Sequence, residues 1–376
     1  MITTAAYVEA VDRAITEVVE PAASDVDRTG DFPRASVGAL AEGGLLGLIS
    51  AADVGGAGEG PRAAAAVVER LARTCGSTAM VLTMHYCGAA VIEAHGERAV
   101  RDAIARGEHL TTLAFSETGS RGHFWAPVSS AKVDNGTVRL RARKSMVTSA
   151  GEADSYVWSS RPLAAEGPST LWLVPSATPG LSVAGRFDGL GLRGNASSPV
   201  VASDAAVPAA SRLGPDGGGF DVMMGVVLPL FQVLSAAVCL GTMEAVTAKT
   251  AAHAGGARLE HLGQTLAELP TIRAYVARMR VRTDMVRGLL DDTLAAMESG
   301  RDDVMLRVLE VKAAAGEAAT EVTDLGMRVC GGAAFRREVG VERHFRDARA
   351  ATVMAPTTDV LYDFIGRSVC GLPLFD

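Results

Sequence analysis

No C-x-x-C spacing joins any of the five cysteines, Cys75, Cys87, Cys239, Cys330 and Cys370. That scatter argues against both a zinc site and a disulfide framework, and it fits a chain kept in a reducing, cytoplasmic compartment. No run of basic residues is present either. With 36 Lys and Arg against 43 Asp and Glu, the formal charge is -7, so nothing along the chain can track a phosphate backbone and nucleic acid is excluded as a partner. The first residues, MITTAAYVEAVDRAITEVVEP, lack the basic start and continuous apolar stretch of a signal peptide. Fixed-period repeats and low-complexity tracts are also missing. One uncharged stretch, VMMGVVLPLFQVLSAAVCLG (222–241), approaches the length of a membrane span. Pro229, Gln232 and Ser235 interrupt it and no basic cluster flanks it, so the reading is a helix buried on all sides within a bundle, without a membrane.

What is present is a change of period along 376 residues, of which 48% are hydrophobic. Up to about residue 109, apolar positions recur three and four apart, as in VGALAEGGLLGL and PRAAAAVVERLART, which predicts helices separated by Gly-rich loops such as DVGGAGEGP. From 110 to 216, short segments rich in β-branched and aromatic residues (LTTLAFS, VRLRARKSMVTS, SYVWSS, STLWLVP) alternate with DNG, EGPS and TPG turns, which predicts antiparallel sheet. From 217 to 376 the helical period returns, with predicted bundle helices over 220–255, 264–297 and 302–330 and a connector at Gly300-Arg301. The fold class is therefore α+β: an N-terminal helical domain, a central β domain and a C-terminal helical bundle.

Within the sheet block, Phe115-Ser116-Glu117-Thr118-Gly119-Ser120-Arg121-Gly122-His123 forms a loop rich in Ser, Gly and Thr, followed by the strand Ala142-Arg143-Lys144-Ser145-Met146-Val147-Thr148. Glycines let backbone N–H groups approach acceptor atoms, and hydroxyls add further donors, so such a loop suits a polar cofactor. By order and separation the two segments resemble the T-E-P-x-x-G-S-D loop and G-x-K-x-W-I-T strand of the acyl-CoA dehydrogenase family. CGGAAFRREVGVERHFRDAR (330–349) resembles that family's G-G-x-G-[FY]…E-R…R-D-A-[KR] run, and LEHLGQTLAEL (259–269) resembles its R-x-x-F-G-x-x-L bundle segment. The resemblance covers the middle and last blocks of the chain.

The resemblance implies an acyl-CoA dehydrogenase-like fold ending in a four-helix bundle. It also implies FAD between sheet and bundle, and a homodimer or homotetramer in which a neighbouring subunit completes the cofactor pocket. Carried over position by position, Phe115, Ser116, Val147 and Thr148 would meet the flavin ring, with Met146 in place of a shielding tryptophan. Gly122 takes the place of a pyrophosphate-binding serine. Thr357 and Asp359 would lie near the adenosine portion, and Arg328, Gly331 and Gly332 would approach the adenine bound by a partner. The pyrophosphate arginine is out of register, with Leu259 at its position and Arg258 one residue early. The same likeness implies an acyl thioester as substrate, on CoA or an acyl-carrier protein, with an electron-transfer flavoprotein or flavin reductase as redox partner. Specialised biosynthesis is the expected setting, and no metal is implied.

The resemblance also exposes a gap. The family removes a proton α to the thioester carbonyl with a carboxylate tuned by a desolvated pocket. Ala355 stands where that glutamate is usual, followed by Pro356; the alternative position on a bundle helix falls on Phe231, with Gln232 beside it. His85 is placed on a helix lining the pocket, as a hydrogen-bonded group rather than a base. Asp359, Glu117 and His123 are the replacement candidates for the base, and Arg346-Asp347 reads as an adjacent ion pair with a structural role. Three outcomes follow: a flavin-dependent monooxygenase, slightly favoured; a dehydrogenase with a non-standard base; and a non-catalytic flavoprotein partner subunit.

Overall fold

A computed structural model describes residues 4–120 and 122–375. Six helices form the first layer: α1 (Thr4–Ala14), α2 (Glu20–Thr29), α3 (Arg34–Glu42), α4 (Pro61–Thr74), α5 (Gly76–His95) and α6 (Arg98–Ala105). A single π-helical turn, Ile15–Val19, joins α1 to α2. Gly30, at φ +68°, closes α2 in the left-handed conformation that a residue with a Cβ resists. α5 is buried almost throughout and packs on β1 and on the long helix Leu228–Gly256, along which α4 also lies.

The middle block holds β1 (Thr111–Ala114), β2 (Ser130–Asp134), β3 (Thr137–Val147), β4 (Ser155–Ser160), β5 (Thr170–Pro175), β6 (Leu181–Val183), β7 (Ser198–Pro208) and β8 (Arg212–Leu213). Two four-stranded sheets result, in the orders β1-β4-β5-β8 and β2-β3-β7-β6. Their inner faces share a core of Val138, Leu140, Tyr156, Trp158, Trp172, Val174 and Val207. Pairing is antiparallel apart from β1 and β4, which run parallel. That departure from the uniformly antiparallel expectation has a plain cause: the 40-residue excursion through β2 and β3 separates β1 from β4, so no hairpin constrains their direction.

The last block comprises α7 (Gly219–Val222), α8 (Leu228–Gly256), the hairpin β9 (Arg258–Leu259) with β10 (Gln264–Thr265), α9 (Pro270–Ser299), α10 (Val304–Cys330), α11 (Val341–Ala348), α12 (Ala350–Val353) and α13 (Thr358–Val369). A π-helical turn over Met223–Val227 links α7 to α8, and the uncharged stretch is the buried centre of the bundle rather than an exposed rod. The helix expected from 264 begins at Pro270 instead. Thr265 and Glu268 cap a short 3₁₀ turn reciprocally, and Pro270 then occupies the first helical turn, where a missing N–H costs nothing. Gly300, at φ +63°, ends α9.

The three blocks are tied by α11. Arg346 donates to Asp27 of α2 (2.8 and 2.6 Å) and to Glu342 (2.8 and 2.7 Å). Asp347 accepts from the backbone N–H of Leu192 in the middle block (2.6 Å). The adjacent pair is structural, as expected, but its members bind other domains and not each other: consecutive helical side chains point about 100° apart. Burial pushes the Asp347 carboxyl up to about 6.

Candidate functional site

Where the sheet loop, α5, α8 and the turn after α12 converge, two contiguous voids open. The inner one, about 460 Å³, is walled by Leu113, Phe115, Phe124, Val227, Leu228 and Phe231. The outer one, about 1220 Å³, runs past Thr148, Phe187, Asn195, Ser197, Met354 and Thr357. Met84, Ser116, Ser145, Met146, Phe231 and Ala355 border both. Among the described residues, no Asp, Glu, His, Lys, Arg, Cys or Tyr side chain lines either void.

Local folding explains how the wall is built. β1 ends at Ala114, and the next two residues turn Phe115 and Ser116 toward the void. The Ser145 N–H donates to the Ser116 carbonyl (2.9 Å), so loop and strand are held together. The register of β3 against β7 slips between Lys144 and Val147, where Met146 takes φ +52° and remains 63% exposed at the mouth. Thr148 and Ser197 share a hydroxyl–hydroxyl bond (3.1 Å). Two hydroxyls sharing one bond leave one O–H free to donate outward. Thr357 caps α13, accepting from the Val360 N–H (3.4 Å), which brings the positive end of that helix to the outer wall.

The expected site residues sort into groups. Phe115, Ser116, Gly122, Met146, Thr148, Phe231, Ala355 and Thr357 come together on the voids. Val147 does not; its side chain is buried in the sheet core, because strand alternation sends it to the opposite face from Thr148. Arg328, Gly331 and Gly332 lie away from the voids at the exposed end of α10. There Arg328 stacks over Tyr275 at 4.8 Å and donates to its hydroxyl at 3.0 Å. Gly331 sits at φ +54°, and nothing stands within 4 Å of a Cβ added at Gly332. Arg121 of the loop motif lies outside the described residues.

Each replacement base is corrected by its surroundings. Glu117 points away from the void into the sheet, where it pairs with Lys144 (2.6 Å) and accepts from the N–H groups of Val128 and Ser129 (2.9 Å each). His123 is exposed against the edge of Trp125 (5.1 Å between ring centres). Asp359 is exposed in the first turn of α13. His85 is fully buried but off the wall: its Nδ1 accepts from the Thr111 N–H (3.2 Å), which leaves Nε2 to donate to the Leu46 carbonyl (3.0 Å). Burial lowers its pKa to about 4. Gln232 is also sealed off the wall, with both amide atoms unpartnered.

Several wall residues belong to no motif in the sequence. Met80 and Met84 sit four apart on α5 and supply the helix face assigned to His85; the i, i+4 spacing could have shown it. Phe187, Asn195 and Ser197 come from a loop without a motif. Lys312, on α10, lies behind the wall and donates to the carbonyls of Pro356 (2.7 Å), Met354 (3.0 Å) and Ala351 (3.3 Å). Burial lowers its pKa to about 8.

The donor chemistry of the outer void suits a flavin. This void is a slot between sheet and bundle, faced by the hydroxyls of Ser116, Thr148 and Thr357, with apolar walls on the bundle side. Gly122 leaves room near the Thr357 methyl, 3.6 Å from the Cβ position. Of the two residues aligned with the family's pyrophosphate arginine, Arg258 donates to the Gly263 carbonyl within its own hairpin (3.4 Å) and Leu259 is half-buried.

Comparison with known proteins places this architecture. Models of the acyl-CoA dehydrogenase N-terminal, middle and C-terminal domains match residues 3–107, 112–205 and 217–370 in succession. The human mitochondrial short-chain specific acyl-CoA dehydrogenase is 29% identical, covering 90% of this chain and 83% of its own length. Butyryl-CoA dehydrogenase from Megasphaera elsdenii superposes with a TM-score of 0.91 at 22% identity, over 98% of both chains. A prolyl acyl carrier protein oxidase superposes with a TM-score of 0.87 at 18% identity, over 96% of this chain and 98% of that one. These three domain models of one family, matched in unbroken order along the chain, establish that it belongs to the acyl-CoA dehydrogenase family of flavoproteins.

Proposed function

We propose that this chain is an FAD-dependent oxidoreductase of acyl thioesters, carried on CoA or an acyl-carrier protein, and that it oxygenates its substrate rather than desaturating it. The observation that carries the reading is the wall around Ala355: no ionisable side chain of the described residues borders either void. Desaturation needs a base within hydrogen-bond reach of the α-proton, and losing one costs ~10²- to 10⁴-fold in rate. Oxygenation by reduced flavin and O₂ places one oxygen atom in the substrate and the other in water, and it asks for a dry pocket rather than a carboxylate.

FAD supplies the two-electron chemistry when bound; the chain supplies the rest. Ser116 and Thr148 would orient the ring system through hydroxyl donors, and Thr357 would meet the adenosine portion. Phe115, Phe124 and Phe231 exclude water from the inner void and receive an uncharged acyl group. Met146 covers the mouth. The reductant reaches the flavin from an electron-transfer flavoprotein or a flavin reductase, and in a homodimer or homotetramer Arg328, Gly331 and Gly332 meet the adenine bound by the partner.

Anaerobic mixing of the FAD-loaded protein with acyl thioesters, followed by oxygen uptake with a reductase, tests the reading. We expect no bleaching without oxygen, then substrate-dependent oxygen uptake and an oxygenated product. Bleaching by the thioester alone would favour the dehydrogenase with a non-standard base. Neither bleaching nor substrate-dependent uptake would leave the non-catalytic subunit.

A further inference from the structure

The turn that carries Ala355 is pinned from behind by a single buried cation. Lys312 is 1% exposed on the inner face of α10. Every hydrogen bond it makes among the described residues goes to a backbone carbonyl. Its three ammonium donors go to Ala351, Met354 and Pro356, carbonyls on both sides of residue 355. One turn along α10, Gly316 faces the same segment, where a Cβ would make ordinary van der Waals contact, 3.5 Å from the Thr352 methyl and 3.6 Å from the Ala351 carbonyl carbon.

A buried ammonium is costly to desolvate and is tolerated only when every donor is met. Here the acceptors are the free carbonyl end of the short helix α12 and the two residues that lead into the Thr357 cap. Taken alone, α12 is too short to hold a direction and the following turn has no strand or helix ladder of its own. We propose that Lys312 is a positioning residue: by gathering these three carbonyls it fixes the 354–357 turn, so that Ala355 lines the inner void and Thr357 presents its hydroxyl to the cofactor slot. The inference rests on the reading of the outer void as the FAD site. It assigns Lys312 no contact with cofactor or substrate, since it borders neither void.

A double-mutant cycle separates positioning from general stabilisation, because only groups acting through one structure fail to add. The FAD dissociation constant is measured on apo-protein for wild type, Lys312→Met, Thr357→Ala and the double variant, with thermal melts in parallel. Thr357→Ala is expected to weaken FAD roughly five- to ten-fold in the wild-type background, the range of one lost hydrogen bond. With Met at 312 it should weaken FAD less than about two-fold, because Thr357 is no longer held in place. Equal factors in the two backgrounds would overturn the inference while leaving the cofactor site intact; wild-type protein that binds no FAD would overturn both. If Lys312→Met does not fold, Lys312→Gln, which retains one donor group, takes its place in the same cycle.

Discussion

Glu117 Oε1 accepts a hydrogen bond from Lys144 Nζ at 2.6 Å, with neither side chain reaching solvent. The Glu117 Oε2 atom is filled by two backbone N–H groups, and Lys144 also donates to Ser159 and to the Phe115 carbonyl. The pair is therefore a strut under the flavin loop. Replacing Glu117 with Ala strands a buried ammonium, and we expect a loss of ~3–5 kcal/mol in urea unfolding. Glu117→Gln should cost less while leaving substrate-dependent oxygen uptake unchanged. If the Gln variant is as stable as wild type yet loses that uptake, the carboxylate belongs to the chemistry after all.

Ala355→Glu returns a carboxyl group to a wall that has none. Apolar surroundings raise the pKa of such a group, so thioester-driven bleaching under anaerobic conditions should appear in this variant and grow with rising pH. The fold should lose ~1–3 kcal/mol from burying the polar group. Wild-type protein that already bleaches at a comparable rate would show that the missing glutamate is not what sets the reaction.

His85 makes stability fall in acid. Its folded pKa, about 4, lies below the ordinary value of 6.5, so between these values the unfolded chain binds the extra proton. The contribution is fully present above pH 6.5 and is lost as pH falls towards 4, at most ~3 kcal/mol. His85→Asn, which keeps an acceptor for the Thr111 N–H, has no such term. Urea midpoints measured from pH 7 to pH 4 should therefore fall more steeply for wild type; parallel curves would refute the assignment.

Arg346 joins α11 to α2 through a two-pronged contact with Asp27. Arg346→Ala should cost ~2–4 kcal/mol, because two partly buried carboxylates lose their partner. Arg346→Lys should recover less than half, since a point charge cannot reproduce the fork. Denaturant unfolding of both variants checks the order; a lysine variant equal to wild type would mean that charge alone suffices.

Leu259 occupies the position at which the family's pyrophosphate arginine is aligned. Leu259→Arg is expected to tighten FAD roughly ten-fold, the scale of one charge-assisted hydrogen bond. Equilibrium binding to apo-protein measures it. An unchanged constant would mean that the hairpin lies too far from the phosphates.

The order of helices, sheet and helices was legible because hydrophobic period changes at two places, and because Gly300 and the DNG and TPG turns punctuate it. The cavity wall was legible where motifs run along one strand or loop, as with Ser116 and Thr148. It was not legible where a helix face decides: His85 and Met84 are adjacent in sequence, and only packing against Leu46 and Thr111 shows which of them turns to the void. Glu117 failed as a base for a similar reason. Its partner Lys144 is 27 residues away, on a strand whose register no local pattern reveals. Nor was Lys312 legible, because a lysine in a long helix ordinarily points to water.

The lining around Ala355 holds no described side chain that changes charge between about pH 4 and pH 11. Such a chamber has no buffering capacity of its own. On the proposed reading, a proton at the reacting atoms comes with the substrate, the flavin or solvent rather than from this lining, while the pH dependence of stability follows buried groups such as His85. Solvent isotope effects should then follow the choice of thioester and reductant, and stay indifferent to substitutions elsewhere in the fold.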